Sequence, residues 1–254
     1  QIMHLITTIF GTASVVMLLL LLTPSNAQKG RDCSCFTCDL CDFTASECKT
    51  ITAASEISTG DTCIIFNSII TEDITLETNT ACVRFMPGSG VVGSLDIHST
   101  GFACVEMTSA SLTLTTTSEI RSDQAACVRA SDSTITNGQL RMIAAIQDSL
   151  IMEGGEITSA FFNAGAPCAQ FLPLNGVSPV VGEITSNGQS LCNEFQNADV
   201  GDISMNGQGI NALLFATSSS MGNIAIAGPI AITEVTMRDV VFRSMTSAGD
   251  IATI

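Results

Sequence analysis

The chain has no tryptophan and no tyrosine among its 254 residues. Phenylalanine alone supplies aromatic rings, so the platforms that stack sugar rings or nucleobases are few. Cations are few as well, with nine lysines and arginines against 24 acidic residues and a net charge of −15. Nucleic-acid binding requires Lys and Arg to displace counterions from phosphates, and this balance excludes it. An anionic membrane surface is disfavoured on the same ground. There are two histidines, and His4 lies in an apolar N-terminal stretch, which leaves His98 isolated in an alternating segment. A lone histidine there reads as an ordinary surface residue rather than a general base.

Several chemical signatures are missing too. There is no Ser-His-Asp set, phosphate loop, HExxH site, N-x-S/T acceptor or Asp-x-Asp-x-Asp cluster of the kind a hard cation prefers. The arginines after residue 50 stand in no Asp- or His-rich motif. The expectation is a non-enzyme, with no catalytic, cofactor or metal residues assigned. The acidic positions Gly155-Glu156, Gly182-Glu183 and Gly201-Asp202 recur and read as a solvated face, since like charges stacked directly repel. No useful helical period follows residue 28.

What the chain does have is apolar content, 46% of residues, and eleven cysteines. The stretch Leu5 to Leu22, followed by Thr23-Pro24-Ser25-Asn26-Ala27, reads as a secretory signal peptide, although a basic n-region is missing. A retained anchor is the alternative, and about 18 residues diluted by threonine is marginal for a span. With that leader, the cysteines imply a secreted, extracellular or cell-surface protein. The domain reading is 1–27 leader, 28–50 cysteine-rich segment and 51–254 repeats.

Cys33, Cys35, Cys38, Cys41 and Cys48 form the cysteine-rich segment, which reads as a disulfide knot that caps or staples the repeats. Zinc is the weaker alternative, because no second, distant C-x2-C pair is present. The other six cysteines recur in a phrase: Thr62-Cys63-Ile64, Ala81-Cys82-Val83, Ala103-Cys104-Val105, Ala126-Cys127-Val128, Pro167-Cys168-Ala169 and Leu191-Cys192-Asn193. Ala145 and Leu213 fill the slot in two further repeats, so that the period is near 20 residues throughout. Such a period marks a solenoid, each repeat burying its apolar face against its neighbours. Alternation such as Ser111-Leu112-Thr113-Leu114-Thr115 marks half-buried strands, and Asn137-Gly138, Asn187-Gly188 and Asn206-Gly207 mark turns.

Three short strands and three turns per repeat amount to one coil of a parallel β-helix. The fold expected is all-β: a right-handed parallel β-helix of about eight or nine coils with a small N-terminal cysteine-rich segment. Cys63, Cys82, Cys104, Cys127, Cys168 and Cys192 are expected to form an inward ladder of mostly reduced thiols, packing as small hydrophobes. The span 51–254 resembles the pectin-lyase-like right-handed parallel β-helix superfamily in coil length, inward stacking and turn glycines. Many members of that superfamily cleave or bind polysaccharides, so the resemblance implies extracellular glycans as one class of partner.

The leading functional expectation is a secreted structural protein that assembles with itself, head to tail, into a fibre, sheath or appendage. Ile251 and Ile254 lie in an apolar C-terminal segment that reads as an assembly end. The alternatives are an adhesin, or a glycan- or ice-binding β-helix; a polysaccharide lyase or hydrolase ranks last.

Overall fold

The computed structural model describes residues 35, 37, 39–227, 232–238 and 240–247. The expectations placed on the leader, on Cys33 and Cys38, and on Ile251 and Ile254 lie outside the described residues. By packing, the chain divides into residues 1–33 and 34–254; the second unit is a parallel β-solenoid of about eight turns.

Its strands stack into three faces. The first face begins with Lys49–Ile51, Cys63–Phe66, Ala81–Phe85, Phe102–Thr108, Ala125–Ser131, Gln147–Glu153 and Cys168–Leu172, each paired in parallel with the next. The second face runs through Ile69–Ile70, Gly90–Gly93, Ser111–Leu114 and Thr134–Thr136. The third runs through Ile74–Thr78, Leu95–Ser99, Ser118–Ser122 and Leu140–Ala144. Later coils merge faces two and three, and then one, into long bent strands such as Val180–Gln196.

Period-two alternation dictates what fills the interior. On the first face the inward rows are Ile64, Val83, Val105, Val128 and Leu150, and beside them Phe66, Phe85, Met107, Ala130, Met152, Phe171 and Phe195. Phe66 stacks on Phe85 at 4.5 Å and Phe171 on Phe195 at 5.2 Å between centroids. On the third face Leu76, Ile97, Ile120, Met142 and Phe162 form the matching row. Fully burying side chains of this size contributes about 1.5–3 kcal/mol each. Two polar residues enter the apolar rows at the same level, and they answer one another: Asn193 Nδ2 donates to Ser186 Oγ at 3.4 Å.

Turns bring successive coils so close that some sites admit only glycine. A Cβ on Gly155 would lie 2.0 Å from the Ser133 carbonyl oxygen, and the residue has φ +77°. Both the space and the left-handed backbone require glycine there.

A 3-10 turn, Ala54–Glu56, lies at the start of the solenoid. Ala54 and Ile57 pack on the core. The Glu56 carboxylate accepts the Thr52 and Ala53 amide N–H groups. Those bonds, the Thr52 one foremost, hold its carboxyl below the usual range.

The cysteine ladder is in register but faces the other way from the expectation. Cys63, Cys82, Cys104 and Cys127 are consecutive Cα partners, and Cys168 pairs with Cys192. Each sits two residues from a polar outward position (Cys82 and Arg84, Cys104 and Glu106, Cys127 and Arg129), so the period of two puts them on the outer surface. Ala81, Val83 and Phe85 occupy the interior instead. The fifth slot also differs from the sequence reading: Ser149, not Ala145, is the Cα partner of both Cys127 and Cys168. Leu213 does hold the slot beyond Cys192.

Candidate functional site

The outward cysteines are nonetheless buried or half-buried, because residues 35–48 cross over them as a strap. Cys48 bonds to Cys63, Cys41 to Cys82 and Cys35 to Cys168, with Cα–Cα separations of 4.5, 5.6 and 5.3 Å. Cys192 is disulfide-bonded as well. The cysteine-rich segment is stitched to the solenoid, its cysteines meeting the first, second and sixth rungs of the ladder in reverse chain order. This also corrects the expectation of mostly reduced ladder thiols: Cys63, Cys82, Cys168 and Cys192 are bonded.

The strap adds side-chain contacts of its own. Phe43 is buried against Cys63 and Cys82, and the Arg84 guanidinium lies 3.9 Å from its ring centroid. Arg84 also pairs with Glu106 on the next coil at 2.6 Å. A cation held over an aromatic face and beside a carboxylate contributes about 0.5–1 kcal/mol at a partly exposed site. The Asp42 carboxylate accepts the Thr44 hydroxyl and the Thr44 amide N–H, which lower its pKa.

The outer surface of the third face gathers charges that lie far apart in the chain. Asp96, Glu119, Arg141 and Phe161 occupy one register row, and Glu77, His98, Arg121, Ile143 and Asn163 the neighbouring one. Glu119 sits at the centre, 3.0 Å from Arg121, 3.6 Å from Arg141 and 3.9 Å from His98 Nε2. Arg141 leans over the Phe161 ring at 5.1 Å, and the Asp96 carboxylate accepts the Glu119 amide N–H. His98, which looked isolated in sequence, thus belongs to a cluster spanning four coils. Chemically this is a neutralising network: one carboxylate is shared by two arginines, with the His98 imidazole beside it, and holds these groups in place.

Of the recurrent acidic positions, Glu183 and Asp202 are neighbours on adjacent coils, beside the paired Ile184 and Ile203, while Glu156 stands apart from them. The register places Glu156 beside Val180, while Glu183 stands against Ser159. Asp202 accepts the Asn223 amide N–H at 2.8 Å and the Asn223 side-chain amide at 3.1 Å.

One buried ionisable residue gave no sequence signal. Asp148, in register with the core residue Ala126, is fully buried. Its Oδ2 accepts the Asn163 amide N–H at 3.2 Å and its carboxylate the Ala144 amide N–H, while Oδ1 has no hydrogen-bond partner. Burial pushes its pKa up to about 8, against the lowering effect of the two amides. Asn163 and Ala144 line a surface groove of about 460 Å³ that also includes Arg121, Asp123 and Gly188.

Among the described residues no group of three or more His, Cys, Asp and Glu side chains is arranged to hold a metal. No helix among them is long and apolar enough to cross a membrane. Comparison with protein-family models, with curated proteins and with solved structures matches nothing.

Proposed function

We propose that the protein is a secreted structural element whose solenoids join copy to copy through strand edges into an extracellular fibre, sheath or appendage. The disulfides suit an oxidising, extracellular setting, and the parallel stacking supports head-to-tail joining. All three faces run with one polarity, so the leading edge of one copy complements the trailing edge of another.

The observation that carries this reading is the edge strand Ile74–Thr78. Among the described residues it pairs with Leu95–Ser99 alone. A cleft of about 320 Å³ lies beside it, lined by Ala54, Ile57, Ser58, Thr59, Asp73, Thr75 and Glu77. An edge strand of this kind is a template for pairing with another chain. Each backbone bond added across it contributes roughly 0.5–1.5 kcal/mol, and covering the apolar rim adds about 25 cal/mol per Å². The partner edge in this reading is the trailing strand Val241–Ser247 of another copy, which among the described residues pairs with Ser220–Ala227 alone.

Strand geometry supplies the test. The Ile74 amide donates to the Ser94 carbonyl, so alternation directs the Thr75 and Glu77 N–H groups to the other edge. Thr75→Pro removes a donor from that edge and leaves the internal pairing intact. Light scattering and electron microscopy of concentrated protein are expected to show linear polymers for wild type and monomers for Thr75→Pro. A wild type that stays a monodisperse monomer, or polymers indifferent to the proline, overturns the assignment.

A further inference from the structure

We infer that Asn175 is a self-modification site, where the side-chain amide is lost as ammonia and an aspartate or isoaspartate takes its place. Asn-Gly pairs begin at 137, 175, 187 and 206, and the turn at 175 is the one built to reach the reacting geometry. Leu174 and Val177 close that turn, each donating its N–H to the other's carbonyl, at 3.0 and 2.8 Å. Between them Asn175 and Gly176 have φ +51° and +80°. Positive φ at both central residues of a two-residue hairpin makes this a type I′ turn.

For the Gly176 nitrogen to meet Asn175 Cγ, ψ of Asn175 must swing to about −120°, which with φ near +60° is the first central position of a type II′ turn. Asn175 already holds that φ. Flipping the peptide unit between the two residues completes the change and reverses the sign of the Gly176 φ, and glycine takes either sign. Both turn types serve two-residue hairpins, so the Leu174 and Val177 bonds survive the flip. A Cβ on Gly176 would meet nothing within 4 Å, and Asn175, Gly176 and Val177 are exposed to water.

The other pairs are held. Asn187 and Gly188 lie inside the strand Val180–Gln196, paired on one side with Asn163 and Ala164 and on the other with Asn206 and Gly207. Asn137 shares the positive φ, at +70°. Its glycine does not share the space: a Cβ on Gly138 would stand 2.3 Å from the Thr116 carbonyl oxygen and 2.7 Å from Leu114 Cβ. Packing against the preceding coil opposes the flip there.

The chemistry needs only water. Hydroxide removes the Gly176 N–H proton and the nitrogen attacks Asn175 Cγ. The N–Cγ bond forms, the Cγ–Nδ2 bond breaks, and ammonia leaves with a proton from water, which restores the hydroxide. Water then opens the five-membered imide at one carbonyl to give aspartate, or at the other to give isoaspartate. The sum is one water consumed and one ammonia released, with no change of oxidation state. The product sets a carboxylate beside the exposed Val177 and Val180. Isoaspartate also adds a backbone carbon, which breaks the two-residue spacing of the turn.

Peptide mapping by mass spectrometry tests this, on folded protein held in heavy-oxygen water at pH 6 and at pH 8.5, below its unfolding temperature. The peptide carrying Asn175 is expected to take up the label and the mass change of an amide becoming a carboxyl. It should do so severalfold faster than the peptides of Asn137, Asn187 and Asn206, and faster at pH 8.5 than at pH 6. The protein is also expected to become a substrate for an isoaspartate-specific methyltransferase. Asn175→Gln, whose longer side chain would have to close a six-membered ring, is expected to lose both signals. In denaturant the four sites are expected to converge. An Asn175 peptide that stays unmodified at pH 8.5, or reacts no faster than that of Asn137, overturns the inference. A preference for Asn175 that persists unchanged in denaturant overturns its assignment to the turn.

Discussion

Replacing Asp148 by asparagine should stabilise the protein at neutral pH and leave it nearly unchanged in acid. Asp148 is fully buried; its Oδ2 accepts the Asn163 amide N–H, its carboxylate also meets the Ala144 amide, and Oδ1 has no hydrogen-bond partner. Its pKa rises from the ordinary 3.8 to about 8. Between those values the native state keeps a proton that the unfolded state has released, so the native state binds more protons. Stability must then fall as pH rises through that window, by about 1.4 kcal/mol per unit, and level off above pH 8. At pH 7 the accumulated loss has an upper limit of about 4 kcal/mol. Asparagine keeps a carbonyl oxygen for the Asn163 and Ala144 amides but cannot ionise. Its NH2 group inherits the orphan position and costs about 1–3 kcal/mol. Below pH 4 wild type carries a neutral carboxyl in the same place, so there the two proteins should differ little. The measurement is the melting temperature of both from pH 4 to pH 9. Other titrating groups, including Asp42 and Glu56 with their lowered pKa values, cancel in the difference. At about 2–4 °C per kcal/mol for a chain of this size, Asp148→Asn should gain several degrees by pH 8. A difference that does not vary with pH refutes the reasoning.

Two further outcomes rest on the geometry. The Cys35–Cys168 bond closes a separation of 133 residues and the Cys48–Cys63 bond one of 15, so chain entropy gives about 5 and about 3 kcal/mol. The double-alanine replacement of the former pair should cost more in non-reducing calorimetry, and the reverse order would show that strap packing outweighs loop closure. Gly155→Ala should cost more than about 3 kcal/mol, through the Ser133 carbonyl at 2.0 Å as well as its backbone. Gly60→Ala, with φ +91° and nothing within 4 Å, should cost only about 1–2 kcal/mol in denaturant titration; equal losses would remove crowding as the cause.

The solenoid was legible because a one-coil repeat leaves its period in the sequence wherever neighbours must match. Parity was not. In Ala81-Cys82-Val83 and its relatives all three residues are small or apolar, so the alternation that tells inside from outside is locally silent. Arg84, Glu106 and Arg129 carried the answer, since a residue two places from a charged outward side chain shares its surface. The strap hides the difference physically, by burying the outward cysteines as well as the inward valines. The Ala145 misplacement has a related cause. The slot at Ser149 is polar, and an apolar-looking phrase four residues earlier drew the pattern away from it. The Glu119 cluster was illegible for another reason: His98, Glu119, Arg121 and Arg141 come from successive coils, and only the register makes neighbours of them. Asp148 had no signal, because the run Gln147-Asp148-Ser149 reads as a polar turn.

The strap changes what kind of solenoid this is. In a stack of coils each repeat touches only its neighbours, so stability is local and opening can begin at any weak coil. Here one covalent path runs from the first ladder rung at Cys63 through Cys48, Cys41 and Cys35 to the sixth at Cys168. Coils between those anchors cannot separate along the axis without stretching the strap from Cys35 to Cys48. The charge distribution makes that constraint useful. A chain of net charge −15 repels itself, and among the described residues cations such as Arg84 and Arg121 are engaged in internal pairs with Glu106 and Glu119. Axial cohesion then has to come from backbone pairing, from the Phe, Met and Ile rows, and from the strap. Of these only the strap acts across all the rungs from Cys63 to Cys168 at once.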